Sequence, residues 1–482
     1  MKVCLRPFQP PSTGGEAGRT ARHGSPIVLG TCQKLLKRMN KSRIIGGVIA
    51  VLLLGGAGAA FVVAWRPAIA AIDPPLPQSF DADLVKRGRE LAAIGNCNDC
   101  HTVSGAKNGA KNFAGGLAVS TPFGTVFSSN ITPDAETGIG RWSEDAFGRA
   151  MRFGVDREGR HLYPTFPYDH FTNVSDEDDR ALYSYLMTRE PVHAPSQANQ
   201  LSFPFNQRVL IAGWKLLFLH GNAYQPDPSK SAEWNRGYYL VEGLAHCGAC
   251  HTPRNALGAE RANATFAGGD VDHWRAYALN TQSPSPVPWD KDALYAYLRN
   301  GSHPDHGTAR GPMAEVVRNL SSVSSGDVHA IATYMADIAG PPTPDRQRQG
   351  EAVLAQTNSK STTGPRPDSK GAVIYAAACA GCHESGRSPP YGGVNLGLST
   401  VVSGPDPRNL ANIVLAGVRP VEGERSSIMP GFAASMNDGE IVALLNFLRS
   451  RFSNEPAWSD VEKTVEDARR TQTALLKERD KP

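Results

Sequence analysis

Three stretches of the chain open on Ser or Asn, pass through acidic residues for one turn, and then repeat apolar residues at helical spacing. They are SDEDDRALYSYLM from Ser175, SSGDVHAIATYMA from Ser324 and MNDGEIVALLNFLRSRF from Met436. Each predicts a capped amphipathic helix, because the Ser or Asn oxygen accepts from first-turn N–H groups and the acids suit the positive helix end. Upstream of each lies a second helical pattern: RGRELAAIGN from Arg87, RGYYLVEGLAH from Arg236 and GAVIYAAA from Gly371. Between them comes a third, WSEDAFGRAMRFG from Trp142, WDKDALYAYLRNG from Trp289 and DPRNLANIVLAGV from Asp406. This recurrence predicts one small all-α unit in three tandem copies, spanning residues 80–190, 231–340 and 370–452.

Between the units the pattern weakens. Residues 191–230 begin as a Pro-rich link, EPVHAPSQANQLSFPF, but contain the dense apolar run FNQRVLIAGWKLLFLHG, Phe205 to Gly221. That run reads either as filling between the first two units or as a docking surface. Residues 341–369 read as a flexible tether, and 453–482 as a mixed-charge helical tail at the surface or against a partner.

At the other end, residues 44–65 form 22 uncharged positions behind Lys41 and Arg43. This is long enough to span a bilayer, and the basic flank places the following body outside the cytoplasm. Ala68-Ile69-Ala70 offers a cleavage site, so the segment reads as a transmembrane anchor or a signal h-region. Either way the body is expected on the periplasmic side of the inner membrane. Residues 1–43 show no apolar period and are expected to be disordered, with Met39 a second conceivable start. They hold nine Lys/Arg against Glu16 alone, so the net charge of +4 conceals a body with 41 bases and 45 acids. No basic stripe with interleaved aromatics suggests nucleic acid.

The candidate chemistry lies in the cysteines. Cys4 and Cys32 fall in the N-terminal extension; the other six form CNDCH (Cys97, Cys100, His101), CGACH (Cys247, Cys250, His251) and CAGCH (Cys379, Cys382, His383). Two thiols one turn apart add to the vinyl groups of a haem, and the adjacent histidine ligates its iron. The histidine follows directly in all three copies and no cysteine is left for disulfides, so the pattern predicts three covalently bound haem c groups. Each unit is thus expected to be a class-I-like cytochrome c domain.

In such a fold the sixth ligand comes from a loop before the last helix. GPMAEVV supplies Met313 to the second unit and SSIMPGF supplies Met429 to the third. The first unit has YPTFPY there, and Phe166 cannot ligate. His170 is the first candidate for that iron, with His161, Met151 and an open position as alternatives. A His101/His170 pair would make this the lowest-potential centre, at the end receiving electrons, because a thioether raises the potential of a haem iron.

Three CxxCH units behind one N-terminal apolar segment resemble the tri-haem cytochrome c subunits of membrane-bound bacterial dehydrogenases, over nearly everything from Arg66 to Phe452. The alcohol and gluconate branch resembles YPAMPY where this chain has YPTFPYDHF. With SAEWNRGYYLVEGLAHCGACHTPRNALGAE from Ser231, the chain is more similar to the branch accompanying molybdenum hydroxylases of the aldehyde or nicotinate type. That resemblance implies a molybdopterin catalytic subunit, a small [2Fe–2S] subunit and delivery of electrons to ubiquinone. A cytochrome subunit of a quinoprotein alcohol or flavin gluconate dehydrogenase is the alternative. The residues themselves offer no nucleotide loop, nucleophile elbow or HExxH motif, so catalysis on an organic substrate is not expected of this chain. A multi-haem peroxidase would need one open iron, and the first unit is the only candidate.

Overall fold

The computed structural model describes residues 47–51, 64–103, 112–221, 224–358, 369–387, 392–418 and 428–479. Contacts divide the chain into residues 1–63 and 64–482. Of the first, only the helical residues 47–51 are described; the expected extension and most of the 44–65 run lie outside the described residues. Among the described residues no helix is long and apolar enough to cross a membrane.

Within residues 64–482 the helices recur as the sequence predicts. The first unit comprises α1 (Ala82–Ile94), α2 (Glu144–Phe153) and α3 (Asp176–Met187). After α4 (Val209–Phe218) the second has α5 (Ala232–Tyr239), α6 (Lys291–Asn300), α7 (Pro312–Ser321) and α8 (Ser325–Ala339). Beyond α9 (Pro344–Asn358) the third has α10 (Lys370–Ala378), α11 (Arg408–Ala416) and α12 (Asp438–Phe452), followed by α13 (Val461–Arg479). Ser175, Ser324 and Asn437 each accept from a first-turn N–H of the closing helix, and Asn437 with Glu440 completes a capping box.

In every unit the opening and closing helices cross at a glycine. A Cβ at Gly88, Gly237 or Gly371 would fall inside the carbonyl of Ala181, Ala330 or Ala443 respectively. Each crossing also sets that glycine against the Cβ of an aromatic residue four positions later: Tyr185, Tyr334 and Phe447. The glycines therefore let two backbones approach to a distance no side chain permits.

Short antiparallel strands line the loops. β1 (Ala118–Thr121) pairs with β2 (Gly124–Phe127), and β2 with β3 (Gln200–Leu201); β4 (Gly269–Val271) pairs with β5 (Trp274–Ala276), and β6 (Ser302–His303) with β7 (Gly307–Thr308). Because β3 lies in residues 191–230, the Pro-rich link is laid along the first unit. Asn199 Oδ1 accepts from Phe127 N at 3.0 Å, and Val192 O from Asn130 Nδ2 at 2.7 Å.

The packing departs from three separate beads. The first two units share one core, running from Leu91 and Leu182 through Leu240 and Leu244 to Ile331. Arg87 and Arg236, at matching positions of α1 and α5, meet Asp178 and Asp327, at matching positions of α3 and α8. Arg87 Nη1 lies 3.1 Å from Asp327 Oδ2, Arg87 Nε 3.3 Å from Asp178 Oδ1, and Arg236 Nε 2.8 Å from Asp327 Oδ1. The third unit has its own core, and the tail contributes to it. Val461, Val465 and Ala468 of α13 are buried in the third unit's core, so one face of this helix packs on α11 and α12. The stretch read as a tether is helical from Pro344 to Asn358, with Gly350 against Pro288; residues 359–368 lie outside the described residues.

Candidate haem sites

Each motif folds as one helical turn that closes on its own first cysteine. His101 N donates to Cys97 O at 2.9 Å, His251 N to Cys247 O at 3.1 Å and His383 N to Cys379 O at 3.0 Å. The three imidazoles are then fixed in the same way: Nδ1 lies 2.7 Å from Ser129 O in the first, 2.8 Å from Tyr277 O in the second and 2.8 Å from Val394 O in the third. A carbonyl oxygen only accepts, so Nδ1 is the protonated nitrogen and Nε2 keeps its lone pair for a metal. Burial holds His101 and His251 below the usual histidine range, against the raising effect of the backbone bond.

The Ser129 and Tyr277 carbonyls follow β2 and β5, and the repeated FAGG packs closely against those segments. Phe113 and Phe266 have φ of 64° and 57°, Gly115 and Gly268 of 74° and 90°. Gly115 N and Gly268 N donate to His101 O and His251 O at 2.7 Å, while Thr102 and Thr252 accept from the N–H of Phe113 and Phe266 at 3.1 Å. In the third unit Gly393 performs the close approach: a Cβ there would lie 2.6 Å from His383 Nδ1. These anchoring carbonyls were not singled out from sequence, although the repeated FAGG was their signal.

All six motif cysteines are free thiols. Burial pushes Cys97 and Cys247 up to about 12, and Cys100, Cys250 and Cys379 up to about 11. Met313, from the first turn of α7, lines one continuous and predominantly apolar cavity with Cys250 and His251. The same cavity reaches Cys379, Cys382, His383 and Met429. Paired cysteines, an imidazole whose Nδ1 is bonded to a backbone carbonyl and a thioether around one apolar cavity fit covalently attached haem in the second and third units.

The first motif abuts the second. Asn319 Nδ2 donates to Asp99 Oδ2 at 2.6 Å and to Asn96 Oδ1 at 2.8 Å, and His246 Nε2 lies 3.3 Å from Gly95 O. After burial, Cys250 adds to the raising of Cys100. The second and third units meet through Asn409, which exchanges two 2.8 Å bonds with the backbone of Arg275, and through Arg408, whose Nη1 lies 2.7 Å from Asp270 Oδ1. The second site therefore lies between the other two.

Phe166 occupies the first unit's counterpart of the Met313 position. Leu162 N donates to Gly154 O at 2.7 Å and Ala309 N to Gly301 O at 2.8 Å, with both glycines left-handed; Phe166 and Met313 each follow four residues later. The Phe166 ring packs against Phe171, with centroids 5.2 Å apart.

The structure gives His170 partners in the second unit: Nδ1 bonds Glu242 O at 3.0 Å and Nε2 bonds Glu260 Oε1 at 2.8 Å. The ring sits against the second unit, with its Cε1 3.1 Å from where a Cβ on Gly248 would be. Burial opposes its charge, but the Glu260 hydrogen bond and carboxylate outweigh burial and raise it to about 9. Asp169, His170 and Glu260 thus form a charged clasp between units. His161 is engaged as well, through Nε2 to Ala64 O at 2.9 Å and Nδ1 to Lys215 Nζ at 3.1 Å. Met151 is buried in the shared core, three residues before Gly154; Leu298, three before Gly301, lines the second cavity.

Comparison with known proteins agrees with this geometry. Residues 366–448 match the family model described as cytochrome c oxidase, cbb3-type, subunit III. The chain is 47% identical to a nicotinate dehydrogenase subunit of Pseudomonas putida over 82% of its own length and 32% of that protein, so it spans about a third of that relative. It is 36% identical to the gluconate 2-dehydrogenase cytochrome c subunit of Pantoea cypripedii, covering 82% of this chain and 91% of that one. With the fructose dehydrogenase cytochrome subunit of Gluconobacter japonicus it shares 35% identity, over 80% and 82% of the two chains. The chain belongs to the family of cytochrome c subunits of membrane-bound bacterial dehydrogenases, the electron-transfer components of those complexes.

Proposed function

We propose that this chain holds three haem c groups in a row and conducts electrons from a catalytic dehydrogenase subunit towards ubiquinone at the inner membrane, on its periplasmic side. Haem supplies reversible one-electron exchange. The protein supplies attachment through Cys97/Cys100, Cys247/Cys250 and Cys379/Cys382, and ligation through His101, His251 and His383. Met313 and Met429 complete the second and third sites. The observation that carries this reading is the shared Nδ1 bond to a backbone carbonyl, which aims Nε2 of each motif histidine at a metal.

Residues 64–72 favour an orientation. Ile69 N donates to Arg157 O at 2.9 Å, Ile72 N to Arg141 O at 3.1 Å, and Arg149 Nη1 to Pro67 O at 2.6 Å. The chain between the apolar run and the body is thus bound along the first unit, which we assign to the membrane side, leaving the third unit for the donor. This reverses the sequence-based expectation of the first site as receiver, which rested on His170. The 47% identity to a nicotinate dehydrogenase subunit, against 35–36% to fructose and gluconate cytochrome subunits, favours a molybdopterin partner with a [2Fe–2S] subunit.

Purification of the native complex tests both parts. A pyridine haemochrome assay is expected to give three haem c per chain, and a molybdopterin subunit is expected to co-purify. A flavoprotein or quinoprotein partner would overturn the partner assignment while leaving the haem reading intact.

A further inference from the structure

The helix α4, Val209–Phe218, is apolar on its outward as well as its inward side, with Lys215 its one charged residue. Its exposed positions are Val209, Leu210, Gly213, Leu216 and Leu217, which follow one another at helical spacing and are all non-polar. Leu216 and Leu217 are 66% and 60% exposed, and Phe203 just upstream is 80% exposed. The polar group points inward: Lys215 Nζ donates to Phe153 O at 2.6 Å, to Gly154 O at 2.7 Å and to His161 Nδ1 at 3.1 Å. A helix that turns its lysine inward and its leucines outward is built to meet a second apolar phase.

Two observations say which phase. His161, bonded to Lys215 through Nδ1, is bonded through Nε2 to Ala64 O, so one imidazole separates α4 from the point where the uncharged run 44–65 joins the body. From Phe203 to Leu219 the chain carries no acid, and its exposed charge is Arg208, a balance compatible with an anionic lipid surface. We infer that the outward face of α4, with Phe203, lies in the lipid headgroup boundary as a second, interfacial membrane contact. This rests on the proposed membrane-side position of the first unit and adds the surface that fixes the body's height and tilt.

The test uses the full chain with haem attached, with Cys4→Ser and Cys32→Ser, and a nitroxide on Leu217→Cys. Val373→Cys, an exposed position on α10, provides the comparison. The protein is reconstituted in vesicles of two parts phosphatidylcholine to one part phosphatidylglycerol, and collision with oxygen and with a water-soluble nickel chelate is read by electron paramagnetic resonance. The expected result is an oxygen-to-nickel ratio several-fold higher at 217 than at 373. Equal ratios would overturn the inference. So would a label at 217 that is shielded from both reagents only when the catalytic subunit is added, since the face would then belong to a protein partner. Haem content measured on the same samples distinguishes failure of this contact from failure of the haem reading.

Discussion

At Phe166 a phenyl ring stands where the second unit has the Met313 thioether, and the backbone register around it is otherwise the same. The slot therefore differs in chemistry and not in shape. Phe166→Met is expected to add a methionine–haem charge-transfer band and to raise the potential of one centre, since thioether ligation favours the ferrous state. An unchanged magnetic circular dichroism spectrum would contradict this. His170 makes a separate residue-scale prediction. Its raised value, about 9 against the ordinary 6.5, means its contribution to folding is complete below 6.5 and is lost as pH rises through 9. Thermal melting between those pH values should show a declining stability that Glu260→Gln largely flattens. The motif cysteines and histidines were legible because their spacing is fixed by covalent chemistry. The Glu260 partner of His170 was not legible, because sequence proximity to the vacant slot says nothing about a residue 90 positions away.

The crossing of opening and closing helices sets the shape of each unit. Gly371→Ala would place a methyl group inside the Ala443 carbonyl and force the backbones apart. A cost of about 1–3 kcal/mol is expected, as for other overpacked cores, with lowered melting temperature and weaker haem retention. Gly326→Ala, whose new methyl meets nothing within 4 Å, is the control and should be neutral or slightly stabilising. The three closing helices were readable from their caps and apolar period. The crossing glycines were present in the repeated Arg-Gly and Lys-Gly pairs, but their meaning needs a partner backbone. Among the described side chains of α13 the buried apolar positions are Val461, Val465 and Ala468, set amid charges, and they pack into the groove offered by α11 and α12.

Within residues 64–482 the first two units share one hydrophobic core and the third has its own. That division was not legible, because the shared core is made by faces that each unit alone would leave open. The Arg87–Asp178–Arg236–Asp327 cluster joins the first two units, and its aspartates are mostly buried. Asp327→Ala leaves two arginines short of a partner and is expected to cost about 1–3 kcal/mol. Arg87→Ala in addition should cost less than the sum of the two single changes; strict additivity in denaturant melts would contradict the coupling.

Haem quantitation combined with near-infrared magnetic circular dichroism on the oxidised chain tests most directly whether three like-built sites hold haem and only the second and third carry a loop thioether. The expected result is three haem c per chain with methionine charge-transfer intensity for two of them. Three methionine-ligated haems, or fewer than three haems, would contradict it.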